Sequence, residues 1–170
     1  MRLTLTLLCL TALPATLAAQ TPELARNAVY FELAGNGLLY SVNYDRRLKD
    51  DFTARIGVMY IGVSGESAET GEKADVNFAV IPIMANWLLG EGAGRFELGI
   101  GPIFAIGSAE VEEIDGTREE FDGVGPAGVT STIGFRYQPE DGGVVFRIGA
   151  TPFWSGEPQL WAGISLGYAF

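Results

Sequence analysis

The sequence contains no histidine and a single cysteine. Without histidine the commonest general base and metal ligand are missing, which removes serine-histidine triads, histidine zinc sites and histidine-assisted lipid hydrolases. Charge is scarce, at 19% of residues, and mostly of one sign: 21 acidic side chains stand against 11 basic ones, for a net charge of -10. A partner held by its phosphates needs clustered Lys and Arg, so this balance excludes nucleic acid. Long hydrophobic runs are also missing. Beyond the N-terminus none reaches the roughly 20 residues of a spanning helix. The nearest, Val76 to Leu89, is interrupted by Pro82 and Asn86.

The first twenty residues read as a cleaved export signal. Arg2 supplies a positive start, Leu3 to Leu13 an apolar stretch, and Ala15 to Ala19 a run of mostly small residues suited to a signal peptidase. The cut is expected between Ala18 and Thr21. Cys9 leaves with this segment, and Leu8 before it is too large for a lipid-attachment box. The mature chain, 21–170, then has no thiol, hence no disulfide and no cysteine nucleophile. Its formal charge falls to about -11 once Arg2 is gone.

What the mature chain does have is period-two patterning between clusters of Gly, Asp, Glu and Pro, the mark of β-strands. The expected strands are Asn27–Gly35, Leu38–Arg46, Phe52–Val63, Asp75–Leu88, Arg95–Ser108, Gly125–Gln138, Val144–Trp154 and Gln159–Phe170. One face carries Val29, Phe31, Leu33, Leu38, Tyr40, Val42, Tyr44, Ile56, Val58, Phe96, Leu98, Ile133, Phe135, Phe146 and Ile148. The other carries Glu32, Ser41, Asn43, Asp45, Arg55, Glu97, Thr130, Thr132, Arg136 and Arg147 among many glycines. An exposed soluble surface carries about 25–35% charged residues. The second face has about one charge per strand, which suits the crowded interior of a small barrel. The apolar face is therefore expected to meet lipid. Pro82 in the apolar run Val80–Ile83 predicts a bulge or a distorted pair in the fourth strand.

The last strand ends at Phe170, with Tyr168, Leu166 and Ile164 at alternate positions. With the export signal and the strand pattern, this resembles the small eight-stranded outer-membrane barrels of Gram-negative bacteria, the OmpA and OmpX kind. The resemblance implies an all-β, antiparallel, up-and-down transmembrane β-barrel. It also implies an outer-membrane location, contact with outer-membrane lipids and lipopolysaccharide, and recognition of Ile164, Leu166, Tyr168 and Phe170 by the insertion machinery. Loop lengths agree with periplasmic N- and C-termini: Arg47–Asp51, Leu89–Gly94 and Pro139–Gly143 are short and Ser64–Ala74 and Ala109–Val124 long, although the other two external connections, Gly35–Gly37 and Ser155–Pro158, are as tight as turns. Asp115-Gly116 suits a tight turn, so the fifth and sixth strands should continue as a hairpin above the membrane.

Three constellations bear on function. Glu32, Asp45, Arg55, Glu97, Arg136 and Arg147 form an interior cluster of three carboxylates and three guanidinium groups. A register that pairs Tyr44 with Ile56 puts Asp45 opposite Arg55, where they could pair directly. The cluster could gate an ion path, or hold a filled barrel in register; the narrow width of eight strands favours the second. Paired carboxylates also suggest a glycosidase, but neighbouring arginines deny them a raised pKa, so no catalytic role is expected. Leu39, Met59, Ile61, Ile103, Phe153 and Trp161 fall on the inward phase toward the external end and could line an apolar pocket. Glu66, Glu69, Glu72, Glu110, Glu112, Glu113, Asp115, Glu119, Glu120 and Asp122 make the long loops acidic. They lack the fixed spacing of a calcium loop, so neither a metal nor a cofactor is expected. The outcome is a monomeric, non-enzymatic barrel with a structural or surface-interaction role. Passage or binding of a small hydrophobic ligand, and a narrow gated channel, are the alternatives.

Overall fold

The computed structural model describes residues 25–66, 73–112 and 118–170. The expected export signal lies outside these residues, as do Glu69, Glu72, Glu113 and the Asp115-Gly116 turn. Eight strands follow one another: β1 (Asn27–Ala34), β2 (Tyr40–Lys49), β3 (Phe52–Glu66), β4 (Lys73–Leu89), β5 (Gly94–Glu112), β6 (Arg118–Tyr137), β7 (Gly143–Ser155) and β8 (Glu157–Ala169). Each pairs antiparallel with its sequence neighbours, and β1 pairs with β8, so the sheet closes on itself. Closure matters because backbone groups in hydrocarbon must all find internal partners. The seam ends in a reciprocal pair: Phe170 N–H donates to Asn27 O at 2.8 Å and Asn27 N–H to Phe170 O at 2.9 Å.

Polarity is inverted relative to a water-soluble protein. Arg55 and Arg136 lead the largest fully buried side chains. Leu166 is 63% exposed, and the outward residues of β1, Val29, Phe31 and Leu33, are exposed with it. Such a belt of large apolar side chains is stable only against an apolar solvent. Tyr44, Phe96, Tyr137, Tyr168 and Phe170 ring the end that carries the termini, together with Trp87 of β4, which packs edge-on to Phe52 with centroids 5.2 Å apart.

Registered rows on the outer face of β3–β6 define the far edge of this belt. Tyr60, Ala79, Ile106 and Val124 are successive cross-strand partners and form its last apolar row. The next row is Gly62, Asn77, Ser108 and Asp122. Polarity thus changes within one repeat of the pleat.

The strands are unequal. β1 and β2 have 8 and 10 residues, whereas β5 and β6 have 19 and 20. The hairpin expected above the membrane is present: β5 and β6 stay paired out to Glu112 and Arg118, beyond the ends set by the sequence pattern. Pairing of β2 with β3 ends at Val42 and Val58, and pairing of β6 with β7 starts at Val129 and Trp154. Four strands therefore project past the rim as a sheet whose edges, β3 beyond Val58 and β6 beyond Val129, have no partner strand among the described residues.

Of the two distortions expected in β4, the interrupted pairing is present and the bulge is not. The β3–β4 and β4–β5 ladders skip pairs around Pro82 but resume in the same register. The shift lies in β6 instead, where Ile103 faces Gly128 while Phe104 faces Pro126, leaving Ala127 as the extra residue. Proline removes one donor without adding a residue, whereas the Pro126–Gly128 segment accommodates a bulge. Opposite the skipped pairs, a Cβ on Gly101 would collide with the Ile83 carbonyl oxygen. Gly101→Val should lower stability by about 1–3 kcal/mol, the usual cost of overpacking. Urea unfolding in micelles measures it, and an unshifted midpoint would show that β4 can move aside.

Candidate functional site

Inward alternation brings the charged side chains together in the lumen. Glu32 comes from β1, Asp45 from β2, Arg55 from β3, Glu97 from β5, Arg136 from β6 and Arg147 from β7. All six are buried. They connect in a single alternating series. Arg55 lies 3.5 Å from Glu32, and Glu32 lies 3.7 Å from Arg147. Arg147 grips Glu97 in bidentate fashion, Nε donating to Oε2 at 2.8 Å and Nη2 to Oε1 at 3.0 Å. Arg136 stands 3.6 Å from Glu97 and donates to Asp45 at 3.0 Å. Three positive and three negative charges leave the series neutral, which is the condition for burying ions where water is scarce.

Further contacts fix the carboxylates. Ser41 donates to Glu32 at 3.1 Å and Thr53 to Asp45 at 3.1 Å. The Arg147 guanidinium carbon sits 4.7 Å from the centre of the Tyr30 ring, a cation–π contact. Beside this series, Glu32, Glu97, Thr132, Arg147, Thr151 and Ser165 line a void of about 10 Å³. That is room for about one water.

One expected contact is not made. Asp45 and Arg55 are cross-strand partners, as the register required, but they do not bond to each other. Side chains of adjacent strands stand side by side, perpendicular to the sheet. The long Arg55 therefore reaches across to Glu32 and Asn36, while Asp45 meets Arg136 from the opposite wall.

Asn36 was not singled out by the sequence. It lies in the turn Gly35–Gly37 between β1 and β2, which folds into the barrel and leaves Asn36 1% exposed. Its amide donates to Thr130 Oγ1 at 2.7 Å and to the Ser131 carbonyl at 3.0 Å. Its oxygen accepts from Thr132 at 2.9 Å and from Arg55. The turn pays for this position with two non-glycine residues at positive φ, Ala34 at 55° and Leu38 at 70°. Each such conformation costs on the order of 1–3 kcal/mol. The only sequence signal was Gly35-Asn36-Gly37, which reads equally well as an ordinary tight turn.

The same turn overturns the expected apolar pocket. The backbone reversal at Leu38 turns Leu39 outward, to 57% exposure, and seats Leu38 against the core. Met59 and Ile103 are buried with Val80 in a packed cluster, flanked by Leu38, Tyr40, Ile61, Phe78, Ala127 and Phe153. Trp161 is partly exposed at the rim and donates to Gln159 at 3.3 Å. These side chains make a hydrophobic stopper above the charged layer. Ile164, Leu166, Tyr168 and Phe170 of the terminal strand all face outward and are exposed.

Removing one member of a buried ionic series strands its partners at a cost of about 3–5 kcal/mol. Glu97→Gln should show a loss of that size in urea unfolding. The Glu97→Gln, Arg147→Gln double variant should lose less than the single losses added together. Strict additivity would mean that the two residues act independently.

No protein-family model matches the sequence, and none of the curated proteins does. Solved structures match at low identity. The N-terminal β-barrel domain of Pseudomonas aeruginosa OprF is 13% identical, with a TM-score of 0.53, covering 85% of this chain and 96% of that one. Ail, the attachment invasion locus protein of Yersinia pestis, is 11% identical with a TM-score of 0.47, covering 85% and 92%. Neisserial surface protein A is 13% identical with a TM-score of 0.44, covering 84% and 92%. The OprF likeness bears on architecture. With the closed antiparallel topology, it gives this chain the fold of the small eight-stranded outer-membrane barrels.

Proposed function

We propose that the protein is a monomeric, non-enzymatic outer-membrane barrel whose role is structural or surface-interactive, with both termini in the periplasm. The observation that carries this reading is the sheet of β3–β6 projecting beyond the rim, whose edges on β3 and β6 have no partner strand among the described residues. A free strand edge offers a row of backbone donors and acceptors to an extended partner. Residues of the long acidic loops lie at this same end. The short connections between β2 and β3, β4 and β5, and β6 and β7 lie at the other, which supports placing that end in the periplasm. Lipopolysaccharide and lipid would surround the apolar belt, and the outward Ile164, Leu166, Tyr168 and Phe170 would present the insertion signal.

The filled interior argues against the conduit readings. Among the described residues, a neutral ionic layer below and the Met59, Val80 and Ile103 stopper above occupy the lumen that a hydrophobic ligand would need. Planar-bilayer recordings of the refolded mature chain should be silent; steady single-channel steps would favour the gated-channel alternative.

Orientation has a separate test. Glutamyl endopeptidase added to intact cells should cleave within the acidic stretch 110–120. Cleavage only after the outer membrane is permeabilised would overturn the assigned orientation.

A further inference from the structure

The outer face of the projecting sheet carries a groove of about 350 Å³ where the apolar belt ends. Its walls come from two of the registered rows. Tyr60, Ile106 and Val124 lie on the membrane side, and Asn77, Ser108 and Asp122 lie directly beyond them. The groove exists because small residues stand between large ones. Gly62 and Ala79 occupy the positions beside Asn77 and Tyr60 in their respective rows. The Tyr60 hydroxyl donates to Asn77 Oδ1 at 2.7 Å, which holds ring and amide in one orientation at the boundary. Tyr60 is 54% exposed and Val124 77% exposed, so both apolar surfaces are open to an occupant.

The chemistry of the two rows specifies that occupant. The apolar row continues the belt that meets acyl chains. The polar row offers an amide, a hydroxyl and a carboxylate. None of the described residues lining the groove is a cation, so a phosphate there would meet the Asp122 carboxylate. Uncharged hydroxyl groups, in contrast, can both donate to Asp122 and Asn77 and accept from Asn77 and Ser108. The exposed Tyr60 ring is a flat apolar surface that a sugar can lie against. We infer that this groove is a seat for the sugar head of a membrane glycolipid, with its hydroxyls on Asn77, Ser108 and Asp122 and its acyl chain running down over Ile106 and Val124.

The inference rests on the membrane reading, because it needs the apolar row to lie in lipid. The test uses the full mature chain, refolded in dodecylphosphocholine micelles, with amide spectra recorded as dodecyl maltoside is titrated in. Saturable shifts confined to the amides of residues 77, 108, 122 and 124 are expected. Dodecyl dimethylamine oxide, which has the same chain but no sugar, should not produce them. Free maltose should not either, which separates a glycolipid from a soluble sugar. Ser108→Trp fills the groove and should weaken the maltoside response about tenfold. Asp122→Leu removes a polar partner without adding bulk to the barrel and should act in the same direction. Heat-modifiable gel migration confirms that each variant is folded.

Equal shifts with the sugar-free detergent, saturation by maltose alone, or an undiminished response in both variants would overturn the proposal. A barrel that takes up no detergent belt at all would instead overturn the membrane reading beneath it.

Discussion

In a closed barrel the ladder consumes the backbone hydrogen bonds, and every side chain is left with two destinations, lipid or lumen. The narrowness of an eight-stranded lumen makes the second the demanding one. Six ionised groups form one series in it, with Arg47 also buried toward the end that carries the termini, and an ion left unpaired in so narrow a space is costly. Their order, Arg55, Glu32, Arg147, Glu97, Arg136 and Asp45, gives each inner member an opposite charge on both sides. The series also crosses the barrel repeatedly, so it ties together walls that the backbone connects only through their neighbours. Where strands must approach closely, as Gly134 and Gly149 do across β6 and β7, a Cβ would run into the carbonyl of the facing strand.

The inserted turn joins this ionic layer to the apolar stopper above it. Asn36 accepts a hydrogen bond from Arg55, and Leu38 two residues later packs against the stopper. A Cβ on Gly35 would stand 2.7 Å from the Glu32 carboxyl carbon, so the turn can approach the charges this closely only with glycine there. The strained Ala34 and Leu38 backbones flank Asn36, whose side chain is tied to four residues of the barrel wall, donating to Thr130 and Ser131 and accepting from Thr132 and Arg55. Strain at the ends of the turn and bonding at its tip are two parts of one arrangement.

Much of the barrel was legible because alternation is a strong signal when the faces differ so sharply. The strand order, the outward aromatics and the pairing of Asp45 with Arg55 in register all follow from period-two reasoning. What escaped that reasoning shares one cause. Register arithmetic describes neighbours along the sheet, whereas the lumen contacts run across it, so the true partners of Asp45 and Arg55 were invisible. Positive φ at Leu38 breaks the alternation, which misplaced Leu39 and hid Asn36. Pro82 announced the interrupted pairing of β4, whereas the bulge lies two strands away in β6, at Ala127, because a missing donor and an extra residue are different faults.

The seam between β1 and β8 has a consequence for assembly. Every other pairing joins strands adjacent in sequence and can form as a local hairpin, with little loop entropy to overcome. The last pairing must bring Asn27 to Phe170 across nearly the whole chain. Along that seam Glu32 faces Ser165, whose hydroxyl donates to it at 3.5 Å, while Arg147 from β7 stands 3.7 Å away. A slip of one residue at closure would turn Glu32 toward lipid and leave Arg55 and Arg147 short of their shared counter-charge. The buried charges therefore disfavour a closure out of register, on top of what the backbone ladder supplies.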